Sequence, residues 1–404
     1  MKCLEQEDMQ RYFLENKYKT LKSLYEAEIA IKKCYCKTMN NSEMSIDVTL
    51  RNQLIQYMDK LRNIRYMKGK VLGFERYIDL RIKEKGYCDY KYKNLKNYQK
   101  IIEKYLSLNS QYAHDYFKQR YNRKKYDELI TEKDFEKEFY SYLIPLEDIK
   151  DILGELILYF PEEEQIVFKH LFLSYKILEN GGEINRGSFC TIENEKIIIY
   201  LSSRNGKVDI FEAIHELGHA YQLYYAQTQN RFPKKEVCEV YSIGMELAAL
   251  PYMEKIFPEQ DVFRFYFFQL FIFFIYEAML LDFQEIIYSN NEIINYNFVW
   301  EKLQQKYKIY EEYTDDSYLK KGMLWLKESE IFLSPLLLTD YALAQIFVLS
   351  IYFGSLNHKE YIFKYCELVK SKQGISIWKI YKGNQEEYFE VVIKKYVEFI
   401  LERL

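Results

Sequence analysis

Proline and glycine are scarce in this chain of 404 residues, which contains six prolines and 14 glycines. Both residues interrupt helices and mark tight turns, so their scarcity argues against many short strands and favours long helices. Hydrophobic residues make up 49% of the chain, which is enough to bury a sizeable core. This length suits either one large helical unit or two packed lobes.

Cysteine pairs at the spacing of metal or redox motifs are also missing. The seven cysteines are scattered along the chain and none of them forms a CxxC pair. The first residues, MKCLEQEDMQRYFLENK, are charged throughout and do not have the pattern of a secretion signal. These features predict reduced thiols and a cytoplasmic location.

A long uninterrupted apolar run is lacking as well. One apolar segment, Val262–Phe283, could be mistaken for a membrane span, but it contains charged residues such as Arg264 and Glu277. Its uninterrupted core, Leu270–Tyr276, is far shorter than the ~20 residues that a bilayer requires, so we expect a buried helix. The net charge of −3 gives no long-range attraction to nucleic acid or anionic lipid. We therefore expect neither a nucleic acid nor a membrane as partner.

The composition changes near Pro145, where the chain becomes more apolar. We predict a helical N-terminal lobe over residues 1–145 and a second, functional region over residues 146–404. The clear strand signal lies in Arg186–Ser203, where two β-branched and aromatic runs flank ENEK and predict a hairpin. A helix is predicted to begin at Asp209 soon afterwards.

That helix carries two of the five histidines of the chain, in the stretch FEAIHELGHAYQLYY. Residues four apart lie on one face of a helix, so His215 and His219 can direct ring nitrogens at one metal ion. Glu216 lies beside them and can reach a water molecule near the ion, an arrangement typical of zinc sites with the HExxH motif. Gly218 is expected to leave room beside the ion. The alternative is a helix with two ordinary surface histidines.

A third zinc ligand is predicted on the next helical stretch, KEVCEVYSIGMELAALPYM. Glu239, Ser242 and Glu246 fall at i, i+3 and i+7 and share one face of that helix. Glu239 is the natural third ligand, and Glu246 can hydrogen-bond a ligand histidine and fix its tautomer. The alternative is that both carboxylates are solvated surface groups, but their apolar sequence neighbours favour burial.

These motifs together resemble the oligoendopeptidase F and thimet oligopeptidase family of zinc peptidases. The zinc motif HELGHAYQLYY is followed by E-V-x-S-x-x-x-E, and RGSFCTIENEKIIIYLSS resembles the strand pair that precedes the zinc helix in that family. MELAALPYMEKIF, DFQEIIY and SPLLLTDYALAQ resemble later helical segments. The matching motifs run from about Arg186 to Gln345, with weaker similarity on either side.

The resemblance implies a mostly α, two-lobed fold of the zincin type, with a small β-sheet before the zinc helix and a deep channel. It implies one zinc ion per chain, with Glu216 as the general base. The implied zinc ligands are His215, His219 and Glu239.

The resemblance also implies a short or unfolded peptide as the substrate. One strand would offer its backbone groups to the extended peptide. The residues expected to do so are Ile198, Tyr200 and Ser202.

The sequence departs from the family in the groups that stabilise the oxyanion. The family usually supplies a histidine and tyrosines from a C-terminal segment, but Glu330, Leu337 and Leu338 stand in those places here. Tyr341 remains as the predicted donor, the alternative being a core aromatic residue on a helix. Tyr241 also stands where the family often has a histidine. Loss of one such donor typically lowers kcat about 10²–10³-fold.

The chain is shorter than typical members of the family, and we expect one end of the channel to be more open. These departures suggest a specialised peptidase, such as one that trims a leader from a precursor peptide. The leading prediction is a zinc metalloendopeptidase. The alternative is a zinc-containing peptide-binding protein with weakened catalysis, and a third possibility is a purely structural helix pair. The sequence leaves the oligomeric state open.

Overall fold

The computed structural model describes residues 2–41, 47–85, 92–107, 115, 142–172, 175–179, 188–233, 235–289, 292–308, 322–371 and 385–403. Arg186, where the predicted hairpin begins, lies outside the described residues. In the first half of the chain the helices are α1 (Lys2–Asn41), α2 (Val48–Leu72), α3 (Tyr77–Glu84), α4 (Tyr92–Tyr105), α5 (Ile149–Leu156) and α6 (Glu162–Leu171).

The second half of the chain carries the longer run of helices. They are α7 (Ile210–Thr228), α8 (Lys235–Ile256), α9 (Val262–Ser289), α10 (Tyr296–Tyr307), α11 (Ser329–Leu333), α12 (Leu337–Phe353), α13 (His358–Lys370) and α14 (Gln385–Arg403). The strands are β1 (Leu143–Pro145), β2 (Tyr175–Glu179), β3 (Phe189–Glu193), β4 (Lys196–Arg204) and β5 (Lys207–Asp209). The prediction of a mostly α fold with a small sheet directly before the histidine-bearing helix is confirmed.

The sheet is larger than the single predicted hairpin. Strands β3 and β4 form that hairpin, and its turn places Asn194 and Glu195 at φ 48° and 66°. A second tight turn at Asn205 and Gly206 joins β4 to β5, and β1 pairs with β5. Strand β2 pairs with β4 in parallel. The sequence did not predict β1, β2 and β5, because strands of three to five residues carry too little periodicity to be distinguished from loops.

The apolar segment around Leu270 forms the long helix α9, as the sequence predicted. Its side chains include fully buried aromatic and aliphatic groups such as Phe274 and Met279. In the described part of the chain, no helix combines the length and apolar character needed to span a bilayer.

The contacts divide the chain into two compact units, each built from two separate segments. The first unit comprises Met1–Tyr92 and Ala278–Leu337, and the second comprises Lys93–Glu277 and Leu338–Leu404. The boundary of the compact units therefore does not follow the position near Pro145. The division into a helical N-terminal lobe, residues 1–145, and a catalytic region, residues 146–404, stays a prediction.

The first unit is organised around a buried charged group on α2. Arg65 is fully buried, and its guanidinium contacts Glu28, the hydroxyl of Tyr288 and the carbonyls of Ile331 and Phe332. These acceptors satisfy a charge that would otherwise be costly to bury.

The second unit contains the sheet and the helix pair α7 and α8. Ile214 and Leu217 of α7 and Val240 and Leu247 of α8 are almost completely buried. The residues predicted to bind zinc therefore belong to two well-packed neighbouring helices.

Candidate metal centre and active site

Helix α7 begins where the sheet ends, at Asp209. The side chain of Asp209 caps the helix, because its Oδ1 accepts hydrogen bonds from the backbone of Phe211 at 2.8 Å and of Glu212 at 3.3 Å. Asp209 is also the last residue of β5. The helix that carries the histidines is thus fixed directly to the sheet.

The two histidines lie next to each other on α7, as the four-residue spacing predicts. The ring centroids of His215 and His219 are 4.9 Å apart, and the rings are inclined at 81°. One potential ligand atom from each of His215, Glu216 and His219 lies within 4.8 Å of the others. The helix therefore presents a compact group of possible metal donors.

Helix α8 brings Glu239 to the same point. Glu239 Oε2 lies 3.3 Å from His215 Nε2 and 3.6 Å from His219 Nε2. Ser242 Oγ donates a hydrogen bond to the same oxygen at 3.1 Å. The structure thus brings the three residues predicted as zinc ligands together.

The close approach of α7 and α8 depends on Gly218. A Cβ atom at this position would lie 2.6 Å from the Cα of Ser242 and 2.7 Å from the carbonyl oxygen of Tyr241. The space that Gly218 leaves is therefore occupied by the backbone of α8. This glycine acts on the site by allowing Glu239 to reach the histidines.

Glu246 lies behind His215, two turns of α8 beyond Glu239. Its Oε1 is 2.5 Å from His215 Nδ1, and its Oε2 accepts a hydrogen bond from the hydroxyl of Tyr266 at 3.0 Å. Since a carboxylate accepts hydrogen bonds, Nδ1 carries a hydrogen, and Nε2, which faces Glu239, is the nitrogen available to a metal ion.

The charges of this group follow from burial and from the neighbouring carboxylates. Burial by itself lowers the pKa of His215. Its hydrogen bonds to Glu239 and Glu246 outweigh that effect and raise the pKa to about 10. Burial lowers the pKa of His219 to about 4. Burial disfavours the charged form of Glu239, yet its hydrogen bond with His215 and the charge of His219 hold its pKa below the ordinary value.

Glu216 differs from Glu239 in that its pKa is raised and not lowered. Burial raises its pKa to about 7, and the charge of Glu239 acts in the same direction. The backbone of Cys190 hydrogen-bonds to this carboxylate, whereas its buried Oε2 has no hydrogen-bond partner among the described residues. A buried carboxylate with an open acceptor atom beside two histidines is suited to receive a proton.

The donor set fits a zinc ion. Zinc binds imidazole nitrogen and carboxylate oxygen at about 2.0–2.2 Å, so two ligand atoms of a tetrahedral site lie roughly 3.3–3.6 Å apart. The separations of 3.3 and 3.6 Å from Glu239 to the two histidines agree with this geometry. The three side chains are 16–19% exposed, so water can reach the site.

Tyr341 also lies at the site. Its ring stacks on that of His215, with centroids 6.5 Å apart and planes inclined at 17°. Burial raises the pKa of Tyr341, and the charge of Glu239 together with a hydrogen bond to it acts in the same direction. Tyr341 therefore remains a neutral hydrogen-bond donor beside the possible ligands.

Glu330, Leu337 and Leu338 stand where the sequence resemblance led us to expect further hydrogen-bond donors. Glu330 is buried in the first unit and accepts a hydrogen bond from Gln284 at 2.7 Å. Leu337 and Leu338 lie in the first turn of α12, one turn before Tyr341. Tyr241, which stands in place of a histidine, is 2% exposed.

Ile198, Tyr200 and Ser202, which were predicted to offer backbone groups to a peptide, lie on β4, which has a neighbouring strand on each side. Their peptide-binding role stays a prediction. Residues 196–200 pair with β3 and residues 199–203 pair with β2. The Ser202 N–H donates to Ser188 Oγ at 3.0 Å. Within the described residues β3 pairs only with β4, and its Cys190 backbone reaches Glu216. Among the described residues, the edge of β3 that faces away from β4 has no strand partner.

A cavity of about 300 Å³ adjoins the site. It is bordered on one side by His215, Glu216 and Glu246. Four aromatic side chains form most of the remaining wall, namely Tyr142, Phe211, Phe265 and Tyr266. Sequence reasoning missed this wall because its members come from three distant segments and carry no common motif.

No protein-family model and no curated protein matches the sequence. Solved structures do match. One of PZ peptidase A with an inhibitor has a TM-score of 0.78 at 19% identity and covers 95% of this chain and 77% of that chain. A structure described as an oligoendopeptidase F has a TM-score of 0.79 at 18% identity, over 99% and 80% of the two chains. Another, from Bacillus anthracis str. Ames, has a TM-score of 0.69 at 17% identity, over 98% and 80%.

The fold of this chain is therefore that of the oligoendopeptidase F and PZ peptidase structures, as the sequence resemblance implied.

Proposed function

We propose that this protein is a zinc-dependent endopeptidase that hydrolyses peptide bonds in short or unstructured peptides. The observation that carries the proposal is the meeting of His215, His219 and Glu239 with a buried Glu216 beside them. The similarity of the fold to structures described as peptidases supports it. One zinc ion per chain would be held by the two histidines and Glu239.

The roles of the side chains follow from their positions. Zinc, when bound, supplies Lewis acidity, which makes water a stronger acid and polarises the peptide carbonyl. Glu216, whose pKa is raised to about 7, takes a proton from the attacking water and delivers it to the leaving amine. Tyr341 donates a hydrogen bond to the carbonyl oxygen as it gains negative charge.

The peptide lies along the edge of β3 that has no strand partner among the described residues. An extended peptide can add to such an edge by backbone hydrogen bonds, and the edge at Cys190 faces Glu216. The cavity beside Glu216 and Phe211 then receives one bulky apolar side chain of the peptide.

The alternative of a zinc-containing peptide-binding protein with weakened catalysis is favoured by one feature. Leu337 and Leu338 cannot donate hydrogen bonds from their side chains, so Tyr341 is the donor left on this helix turn. An intact Glu216 favours the peptidase, because a binding protein has no need of a buried base. Leader removal from a precursor peptide and a cytoplasmic location are further proposals that the composition and the departures support.

Replacing Glu216 by Gln separates the two functions. The purified protein should contain about one zinc ion per chain and cleave peptides, with activity lost on chelation. Glu216→Gln should retain zinc and peptide binding but lose turnover by several orders of magnitude, whereas Glu163→Gln, at an exposed site, should retain both. If the parent protein binds peptides and cleaves none, the binding function is correct. Rapid and indiscriminate cleavage of a panel of unmodified short peptides would argue against a specialised substrate.

A further inference from the structure

Tyr266 lies at the end of a hydrogen-bonded chain that leads to the candidate zinc ligands. It belongs to α9, a strongly apolar helix, and its hydroxyl donates to Glu246 Oε2 at 3.0 Å. The other oxygen of Glu246 lies 2.5 Å from His215 Nδ1. Three helices thus meet in one line of contacts, from Tyr266 through Glu246 to His215.

This chain uses both oxygens of Glu246 for different partners. Among the described residues, Glu246 hydrogen-bonds only to His215 and Tyr266. A carboxylate held by a single partner can rotate about its last bond, whereas a second donor on the other oxygen fixes its plane. The hydroxyl of Tyr266 therefore determines which way Oε1 faces.

The orientation of Glu246 is transmitted to the ligand. The hydrogen bond at Nδ1 sets both the tautomer of His215 and the direction in which Nε2 faces Glu239. Partners of this kind raise the affinity of a metal site although they never touch the ion.

The aromatic ring of Tyr266 has a separate role, as a wall of the cavity. It stacks on Phe211 with centroids 6.2 Å apart, and it contacts Phe267. A phenylalanine would preserve this wall and remove only the hydroxyl. The two roles can therefore be separated by one substitution.

We propose that Tyr266 is a positioning residue, whose hydroxyl orients Glu246 and through it directs His215 toward a bound zinc ion. The inference rests on the proposed zinc site and goes beyond it, because Tyr266 belongs to none of the sequence motifs that predict that site. It explains why a helix as apolar as α9 carries a tyrosine hydroxyl at this point.

The test compares Tyr266→Phe with a matched control, Tyr365→Phe. Tyr365 is also buried, and its hydroxyl donates to the carbonyl of Tyr241 on α8 at 2.7 Å, so the control removes an equivalent hydrogen bond to the same helix. Zinc dissociation constants are measured by competition with a chromogenic chelator, and the visible spectrum of the cobalt-substituted protein reports the ligand geometry. The thermal stability of each metal-free protein is recorded as well.

We expect Tyr266→Phe to weaken zinc binding about 10-fold or more and to alter the cobalt spectrum, since loss of such outer partners typically costs 10–100-fold in affinity. Tyr365→Phe should lower the stability of the metal-free protein without changing either metal readout. Unchanged zinc affinity in Tyr266→Phe, or an equal loss in Tyr365→Phe, would overturn the positioning role while the zinc site stands. If the parent protein binds no zinc, the proposed site fails and this inference fails with it.

Discussion

Gly218 of α7 lies so close to Ser242 of α8 that a single added carbon would come within 2.6 Å of the Cα of Ser242. This is closer than carbon atoms approach without repulsion, and the atoms in the way are backbone atoms that cannot move alone. The distance between the histidine pair and Glu239 is therefore set by a residue that contributes no chemistry of its own.

Gly218→Ala should force the two helices apart. We expect a loss of about 1–3 kcal/mol in the free energy of unfolding, as for other overpacked cores, together with weaker zinc binding. Gly154→Ala is the matched control: Gly154 also lies within a helix, but nothing stands within 4 Å of an added Cβ there. That substitution should stabilise the protein by up to about 1 kcal/mol. The free energy of unfolding of both variants is measured with urea. Equal values for the two variants would show that the helices tolerate the extra carbon.

Tyr341→Phe should lower kcat when measured at saturating zinc. The hydroxyl of Tyr341 is the remaining predicted hydrogen-bond donor to the oxyanion. Removal of a single donor of this kind typically lowers kcat about 10²–10³-fold. The measurement is steady-state kinetics on a cleaved peptide, with Tyr159→Phe as the control because Tyr159 is 42% exposed. An unchanged kcat would mean that another group stabilises the oxyanion.

Phe211→Ala should change which peptides are preferred. The side chain forms part of the wall of the 300 Å³ cavity beside Glu216, so its removal enlarges the proposed side-chain pocket. We compare kcat/KM for a peptide that has Phe or Leu next to the cleaved bond with kcat/KM for the same peptide carrying Ala there. The ratio of these two values should fall about 10-fold in the variant. Because the prediction concerns a ratio within one variant, a general loss of activity does not affect it. Phe232→Ala, at a residue 59% exposed, should leave the ratio unchanged.

The stability of the first unit should depend on acid pH through Glu28. Burial alone would raise its pKa, but the charges of Arg65 and Lys68 lower it from 4.5 to about 2. Since the folded pKa lies below the unfolded one, this carboxylate stabilises the fold above about pH 4.5, and the contribution is lost as the pH falls toward 2. The contribution at neutral pH is about 3 kcal/mol.

Urea unfolding of the parent and of Glu28→Gln tests this contribution. The difference between the two should be largest at pH 7 and should shrink steadily below about pH 4.5. Glu26→Gln on the same helix is the control, because Glu26 is 66% exposed and is 4.0 Å from Lys22. A difference between parent and Glu28→Gln that does not vary with pH would show that the loss is one of packing rather than charge.

The sequence by itself determined the local features that depend on near neighbours in the chain. The helical spacing of His215 and His219, the start of α7 at Asp209 and the β3–β4 hairpin all follow from periodicity and capping, which act over a few residues. The helix pair was also foreseen, because Glu239 and Glu246 repeat on one face of α8. The resemblance to a family of known fold extended these local predictions to the fold of the whole chain.

Only the tertiary structure decided which groups meet across distant segments. The position of β4 between two neighbours depends on β2, a five-residue strand with no readable pattern, and it favours β3 as the strand that binds the peptide. The contact of Tyr266 with Glu246 and the packing of Gly218 against Ser242 depend on how helices lie against each other. Such contacts are fixed by the shape of a packed core, and shape is a property of the whole fold that no short stretch of sequence encodes.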